Sequence, residues 1–203
     1  METKQVNFKP LTLSTLKPQT GYLRSFFTTP KMVKISDSAL EVMTDLQFVS
    51  AAVVRAEIDV ESATQKMISR GVRTLLVTDS NEDVIGIITS RDLVGDRPHL
   101  LMQRRSISFC DVRVFDIMTP SAEIEVMPLN DVLHARVGDI VMTLKHSGRQ
   151  HALVTEEVAF SDKHMIRGIF SASQIARQLG IALQQHGLFQ TFAEIDRAIR
   201  SRP

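Results

Sequence analysis

The sequence has no tryptophan, one tyrosine and one cysteine, and each scarcity argues against a class of function. A single cysteine, Cys110, cannot form an internal disulfide bond or a cysteine-rich metal site. With few aromatic anchors, the chain offers little for stacking on single-stranded nucleic acid. Its 24 basic and 23 acidic side chains nearly cancel, so the chain lacks the basic excess that general binding to nucleic acid or a membrane surface requires.

Long apolar stretches and targeting signals are also missing. No apolar run approaches the roughly 20 residues that a membrane-spanning helix needs, and the start, METKQVNFKP, does not have the pattern of a secretory signal. These absences predict a cytoplasmic protein in a reducing compartment. With 203 residues, 43% of them apolar, the chain is long enough for one large domain or two small ones with a real core.

No catalytic or metal-binding constellation is visible. His134, His146, His164 and His186 are scattered, and none belongs to the i, i+4 pair of a zinc-binding helix. The phosphate-binding loops GxxxxGK[ST] and GxGxxG are absent, and Cys110 has no nearby histidine to make it a nucleophile. We therefore expect no enzymatic activity, no metal site and no required cofactor.

What the sequence does contain is an internal repeat. GIITSRDL at residues 86–93 resembles GIFSASQI at residues 168–175, and EVMTD at residues 41–45 resembles DIMTP at residues 116–120. Such self-similarity indicates two units of similar structure.

Between these motifs the two copies align at a constant offset over residues 60–77 and 137–154. The second copy then gains five residues in a polar stretch, where a hairpin loop tolerates an insertion.

The pattern of each copy predicts the element order strand, helix, strand, strand, helix. In the first copy AAVVRAEI predicts a buried strand, and Val60, Ala63, Met67 and Ile68 recur at helical spacing until Gly71 ends the helix. RTLLVTD and VIGIITS flank the turn-rich DSNED and predict a hairpin, and SRDL begins a second helix. Because a unit of about 60 residues buries little surface alone, we expect the copies to pack together with clefts where they meet.

This arrangement resembles the tandem CBS-domain module, also called the Bateman module, over residues 37–180. The resemblance rests on the repeated MT, on GVRTLLVTD and on GIITSRDL. It implies an α/β (α+β) fold of two CBS units, each β-α-β-β-α, related by a pseudo-twofold axis. We expect an N-terminal arm at residues 1–36, CBS units at residues 37–97 and 98–180, and a C-terminal amphipathic helix at residues 181–203.

The resemblance also implies adenosyl-nucleotide sites in the clefts between the units. Thr89 and Asp92 match the family's hydroxyl-x-x-Asp pattern, whose carboxylate can accept hydrogen bonds from both hydroxyls of a ribose. Gln174 occupies the matching place in the second copy and suits a diol less well, so we expect one strong site and one degenerate site. A helix capping box explains Thr89 and Asp92 as well, and it alone accounts for Gln174.

Further positions match ligand-contacting residues of the family: Ala52, Val72, Arg73, Thr74, Arg91, Gln150 and His151. By resemblance Ala52 lies against the base, while Arg73 and, from the second unit, Gln150 and His151 contact phosphate. Structural roles without a ligand remain open for these residues: a surface arginine at Arg73, a core alanine at Ala52 and polar residues at the start of a strand at Gln150 and His151.

These features predict a regulatory module that binds AMP, ADP, ATP or S-adenosylmethionine without converting it. It would act in trans on an unidentified effector protein, and by resemblance it would pair into a homodimer. The alternative is a structural or protein-interaction module with no physiological nucleotide, which the change to Gln174 favours.

The two ends of the chain carry separate expectations. Prolines at positions 10, 18 and 30 predict an extended N-terminal arm. Leu188, Phe192, Ile195 and Ile199 form one helical stripe, which must cover an apolar surface on this module or on a second copy.

Overall fold

The computed structural model of the chain describes residues 31–158, residues 164–181 and Ile195. Most of the predicted arm and of the predicted C-terminal helix lies outside the described residues. Ile195 is helical and fully buried in the core of the second half. The described part of the C-terminal stripe therefore covers the core of its own chain.

The described strands are β1 (Thr44–Asp45), β2 (Val53–Arg55), β3 (Thr74–Thr78), β4 (Val84–Thr89), β5 (Thr119–Pro120), β6 (Val126–Pro128), β7 (His151–Glu157) and β8 (His164–Ser171). The described α-helices are α1 (Val60–Arg70), α2 (Ser90–Val94), α3 (Asp96–Arg105), α4 (Val114–Ile117), α5 (Leu129–His134), α6 (Val137–Ser147) and α7 (Ala172–Gln178). The predicted helices and hairpins of both copies are confirmed, although β2 is shorter than the apolar run that predicted it.

Helices α1 and α6 end in the same way in both copies. Gly71 and Gly148 adopt φ angles of 63° and 66°, a left-handed conformation that glycine takes without strain. At the other end of α1, the carboxylate of Asp59 accepts a hydrogen bond from Ser62 N at 2.8 Å. The repeated Gly thus stops each helix just before the strand that follows it.

Two four-stranded sheets of identical topology form the centre of the molecule. The first has the order β2-β3-β4-β5 and the second the order β6-β7-β8-β1. In each, the first pair is parallel and the next two pairs are antiparallel. The equivalent strands follow the sequence repeat, so the topology has the predicted pseudo-twofold relation.

Each sheet is completed by a strand from the other copy. The threonine of the first MT opens β1, which pairs with β8 of the second copy, and the threonine of the second MT opens β5, which pairs with β4 of the first. The two sheets therefore do not coincide with contiguous halves of the sequence.

Three apolar clusters hold this arrangement together. One lies between the first sheet and its helices and another between the second sheet and its helices. The third joins the sheets and consists of Leu76, Ile87 and Leu153, with Ile169 packed against it. The two sheets thus face each other, and the end of this contact positions the candidate site.

Candidate functional site

The contact between the two sheets has a polar end, which we define by Thr74 and Thr89 of the first sheet. The two threonines are directly paired between β3 and β4, so their side chains share one face of the sheet. That face is the one carrying Leu76, two residues along β3, toward the second sheet. Thr74 Oγ1 is buried and has no hydrogen-bond partner within the described part of the chain, an uncommon state for a buried hydroxyl.

The second sheet supplies His151 and Ser171 at the same end. They are paired between β7 and β8, and His151 shares a face with Leu153 of the inter-sheet cluster. Burial lowers the pKa of His151 to about 4, and the nearby Arg73 cation lowers this pKa as well. The imidazole is therefore neutral at pH 7, and a bound anion would favour its charged form.

Asp92 stands at the start of α2, where the chain leaves β4. Its Oδ2 accepts hydrogen bonds from Thr89 N at 2.8 Å and from Thr89 Oγ1 at 2.7 Å. Asp92 N donates to Thr89 Oγ1 at 3.4 Å, which completes a capping box. The carboxylate is only 13% exposed. The capping role anticipated from the sequence is confirmed in the first copy, and it fixes the carboxylate beside the sheet end.

In the second copy the capping interpretation is wrong. Ser171, at the start of α7, makes no capping hydrogen bond. Gln174 Oε1 instead accepts from Thr44 Oγ1 at 3.1 Å, and Gln174 Nε2 donates to Gln178 Oε1 at 3.4 Å. Because an amide both accepts and donates, Gln174 ties β1 to α7, which a carboxylate would do less well.

The other predicted site residues lie around the first sheet and at the start of the second. Ser90 N donates to Arg73 O at 2.9 Å, which joins the residue before β3 to the start of α2. Val72 and Ala52 pack against the first core, and Arg91 is exposed on α2. Gln150 is half-buried, and its carbonyl accepts from Ala172 N.

The structure thus brings most of the predicted residues together. The residues preceding β3 adjoin Thr89 and Asp92 at the end of the first sheet. His151 lies near enough to this group for the charge of Arg73 to lower the pKa of its imidazole. Arg91, although two residues from Thr89, is exposed and makes no side-chain contact with the polar end among the described residues.

Sequence reasoning missed Arg97, which lies on α3. Its Nη1 lies 3.2 Å from Asp92 Oδ1 and donates to Ile117 O at 3.0 Å. The sequence carries no signal for this contact, because α3 lies outside the repeat pattern that defines the motifs.

Sequence reasoning also missed Arg167 on β8. Its guanidinium binds Asp45 through two hydrogen bonds of 2.9 Å, and Glu156 through a third of 2.9 Å. The hydrogen bond from Arg167 holds the pKa of Asp45 below its ordinary value. A charge inside the apolar run MIRGIF was the available signal.

A cavity of about 590 Å³ lies beside this cluster in the second half, where Thr44, Asp45, Arg167 and Gln174 line it together with exposed apolar side chains. Its polar lining groups bond to one another, Thr44 to Gln174 and Arg167 to Asp45.

Two other classes of site are not found in the described ranges, residues 31–158 and 164–181 with Ile195. No three His, Cys, Asp or Glu side chains there come together as a metal site. No helix of this part is long and apolar enough to cross a membrane.

Comparison with known proteins finds a family model that matches part of the chain and solved structures of similar fold. The CBS-domain family model matches residues 38–97. The crystal structure of CBSX2 in complex with AMP is similar with a TM-score of 0.50 and 22% identity, covering 70% of this chain and 94% of CBSX2. Another crystal structure of CBSX2, from Arabidopsis thaliana and named a CBS-pair protein, has a TM-score of 0.48 at 21% identity, covering 70% and 93%.

An uncharacterized conserved protein from Pyrococcus horikoshii has a TM-score of 0.50 and 18% identity, covering 76% of this chain and 100% of that one. No curated protein matches the chain. The matched region, the duplicated sheet topology and these structural neighbours agree with one another. Residues 38–97 match the CBS-domain family model, and the described part of the chain has the fold of these solved structures.

Proposed function

We propose that this protein is a regulatory module that binds an adenosine nucleotide at the polar end of the first sheet and does not convert it. The observation that carries the proposal is the shielded carboxylate of Asp92 beside the buried, unpaired hydroxyl of Thr74. A ribose diol matches a carboxylate acceptor, and a polar ligand atom would satisfy the threonine. CBSX2, which has the same fold, was crystallised with AMP.

The phosphate would lie toward Arg73 and His151. Arg73 is exposed and offers a planar fork of donors to an anion. The neutral imidazole of His151 would gain a proton when a phosphate approaches, because the anion stabilises the charged form. Gln150 adjoins this group from the second unit, and Ala52 and Val72 supply an apolar border for the base.

A single site per chain follows from the second copy. There Gln174 bonds to Thr44 and Gln178, so a ligand would have to break an internal network to reach it. We therefore propose that the first cleft binds the nucleotide and that the second cleft is structural.

Regulation requires that the ligand favour one arrangement of the two halves. The site draws residues from both sheets, and β5 crosses from the second copy into the first sheet. A nucleotide held between Asp92 and His151 would therefore fix the relative placement of the sheets, and an effector protein in the cytoplasm would sense that placement.

A homodimer is part of the same proposal. Ile68 on α1 and Val94 on α2 are 68% and 81% exposed and border a groove between these helices. Exposed apolar surface of this kind is typical of association sites. Sedimentation of the purified protein tests the pairing.

The alternative is a protein-interaction module without a nucleotide. Its support is that both oxygens of Asp92 already have partners, Thr89 on one side and Arg97 on the other. Capping and an ion pair alone would explain a retained aspartate.

A thermal-shift panel with AMP, ADP, ATP and S-adenosylmethionine distinguishes the two. A ligand at 100 times its Kd adds about 2.7 kcal/mol, which for this chain length raises Tm by about 5 °C. Asp92→Asn should abolish the rise, since an amide cannot accept through two oxygens. Gln174→Ala, the matched change in the second copy, should lower the starting Tm and leave the ligand-induced rise intact. No rise with any of the four compounds would favour the interaction module.

A further inference from the structure

Helix α3 places an arginine on the carboxylate that the proposed ligand needs. Arg97 Nη1 lies 3.2 Å from Asp92 Oδ1, while Asp92 Oδ2 is bound by Thr89. The same Nη1 donates to Ile117 O at 3.0 Å, which holds the guanidinium in place from the segment leading into β5. In the free protein, Arg97 therefore forms an ion pair with the carboxylate oxygen that the helix cap leaves without a hydrogen bond.

A ribose and Arg97 consequently compete for one atom. A diol that binds Asp92 through both hydroxyls needs Oδ1, and its approach weakens the ion pair of this oxygen with Arg97. A neutral nucleoside displaces Arg97 without offering the guanidinium a new partner. A nucleotide brings a phosphate, and the displaced guanidinium of Arg97 pairs with this anion more favourably than with water.

We infer that Arg97 is the residue that makes the site selective for anionic over uncharged adenosyl ligands. It blocks Asp92 in the free protein and leaves it when a phosphate compensates the lost ion pair. The inference rests on the proposed function and adds to it a selectivity that neither the cap nor the sheet end explains. It also gives α3 a part in the response, because displacing Arg97 releases the hydrogen bond to Ile117 O.

The chain offers a closely matched control on the same helix. Arg105 pairs with Asp116 at 2.6 Å, and the exposures of that pair are 57% and 13%. Those of Arg97 and Asp92 are 53% and 13%. Arg97→Gln and Arg105→Gln therefore remove the same charge from the same helix and break equally exposed ion pairs, but only the first change frees Asp92.

Isothermal titration with AMP and with adenosine, at one fixed ionic strength, measures the selectivity. We expect the full-length wild type to bind AMP at least tenfold more tightly than adenosine. Arg97→Gln should bind adenosine about 3- to 10-fold more tightly than the wild type and AMP no more tightly. The preference for AMP should therefore fall at least 3- to 10-fold, whereas Arg105→Gln should keep it.

Three results would overturn the inference. An unchanged preference in Arg97→Gln, with AMP still binding, removes the role of Arg97 and leaves the proposed function standing. An equal loss of preference in Arg105→Gln shows that the charge of α3, and not the contact with Asp92, sets the selectivity. If neither ligand binds the wild type, and the thermal-shift panel is also negative, the proposed function fails and the inference fails with it. Because Arg97 is largely exposed, its variant should keep the wild-type Tm within about 2 °C.

Discussion

Asp92 and Gln174 show how one repeated position acquires two roles. Both stand three residues after a hydroxyl side chain at the start of a helix. Asp92 turns back to Thr89 and closes a capping box. Gln174 bonds to Thr44 instead, because its amide can accept from a hydroxyl and at the same time donate to the neighbouring Gln178. The loss of the carboxylate in the second copy therefore has a structural cause in the contacts of β1.

His151 should make the protein sensitive to mild acid. Its folded-state pKa is about 4, below the ordinary value of 6.5. At a pH between these two pKa values, His151 is protonated in the unfolded chain but not in the folded chain. The free energy of unfolding therefore falls as the pH falls from 6.5 toward 4. Near pH 5 the loss is about 2 kcal/mol. Urea unfolding at pH 7 and pH 5 measures it, and His151→Asn should remove most of the difference.

A matched histidine serves as the control for this prediction. His164 opens β8 of the same sheet and is exposed. His164→Asn should leave the difference between pH 7 and pH 5 as it is in the wild type. A full pH difference in His151→Asn would contradict the assignment to that imidazole.

At the scale of elements, the repeated MT explains why each sheet carries a glycine. Gly86 in β4 and Gly168 in β8 lie where the exchanged strand and its methionine pack closest. A Cβ at Gly86 would stand 2.6 Å from Thr119 O and 2.8 Å from Met118 Sδ, and one at Gly168 would stand 2.5 Å from Met43 Sδ. Either added methyl group would overlap its neighbours.

The two glycines should nevertheless tolerate alanine unequally. At Gly86 the nearest atom is a backbone oxygen of β5, so the strand itself must shift, and Gly86→Ala should cost about 2–3 kcal/mol. At Gly168 the near atoms all belong to the buried side chain of Met43 and none to the backbone, so the strand need not shift and Gly168→Ala should cost about 1–2 kcal/mol. Parallel urea titrations followed by circular dichroism compare them. A larger loss at Gly168 would refute this account.

The sequence predicts the helices and hairpins because they follow local patterns. Helical spacing ends at Gly71 and Gly148, and the turn-rich DSNED separates two apolar runs, so no distant contact is needed to recognise these elements. The exchange of β1 and β5 is different. Each is two residues long, and its partner strand is chosen by packing against a glycine far along the chain, which no local pattern records.

The residues of the candidate site likewise separate into those that a local sequence motif predicts and those that depend on distant contacts. Thr89 and Asp92 were found because a cap and a ribose contact share one short motif. Arg97 was not found, because its contact depends on how α3 folds back over α2. The unpaired hydroxyl of Thr74 could not be predicted either, since it arises only when the two sheets meet.

At the scale of the whole molecule, the strand exchange makes the two halves interdependent. The first sheet is incomplete without β5 and the second without β1, and the cluster of Leu76, Ile87 and Leu153 is shared between them. Neither half can lose its structure without exposing part of the other. We therefore expect the described part of the chain to unfold as one cooperative unit.

Gln178 offers a test of this cooperativity. It is 4% exposed in α7 of the second half, and its Nε2 donates to Glu41 O at 2.9 Å and to Lys31 O at 3.2 Å. Gln178→Ala leaves the partly buried Glu41 carbonyl without this donor and should cost about 2 kcal/mol. By mass action that loss lowers the protection of globally exchanging amides about 30-fold.

Native-state hydrogen exchange then compares the halves. If they unfold together, the slowest amides of β3 in the first sheet should lose the same factor as those of β7 in the second, although Gln178 and the segments it bonds to pack on the side of the second sheet. A loss confined to β7 and β8 would mean that each half opens alone. The exchanged strands would then be surface additions to two separate domains.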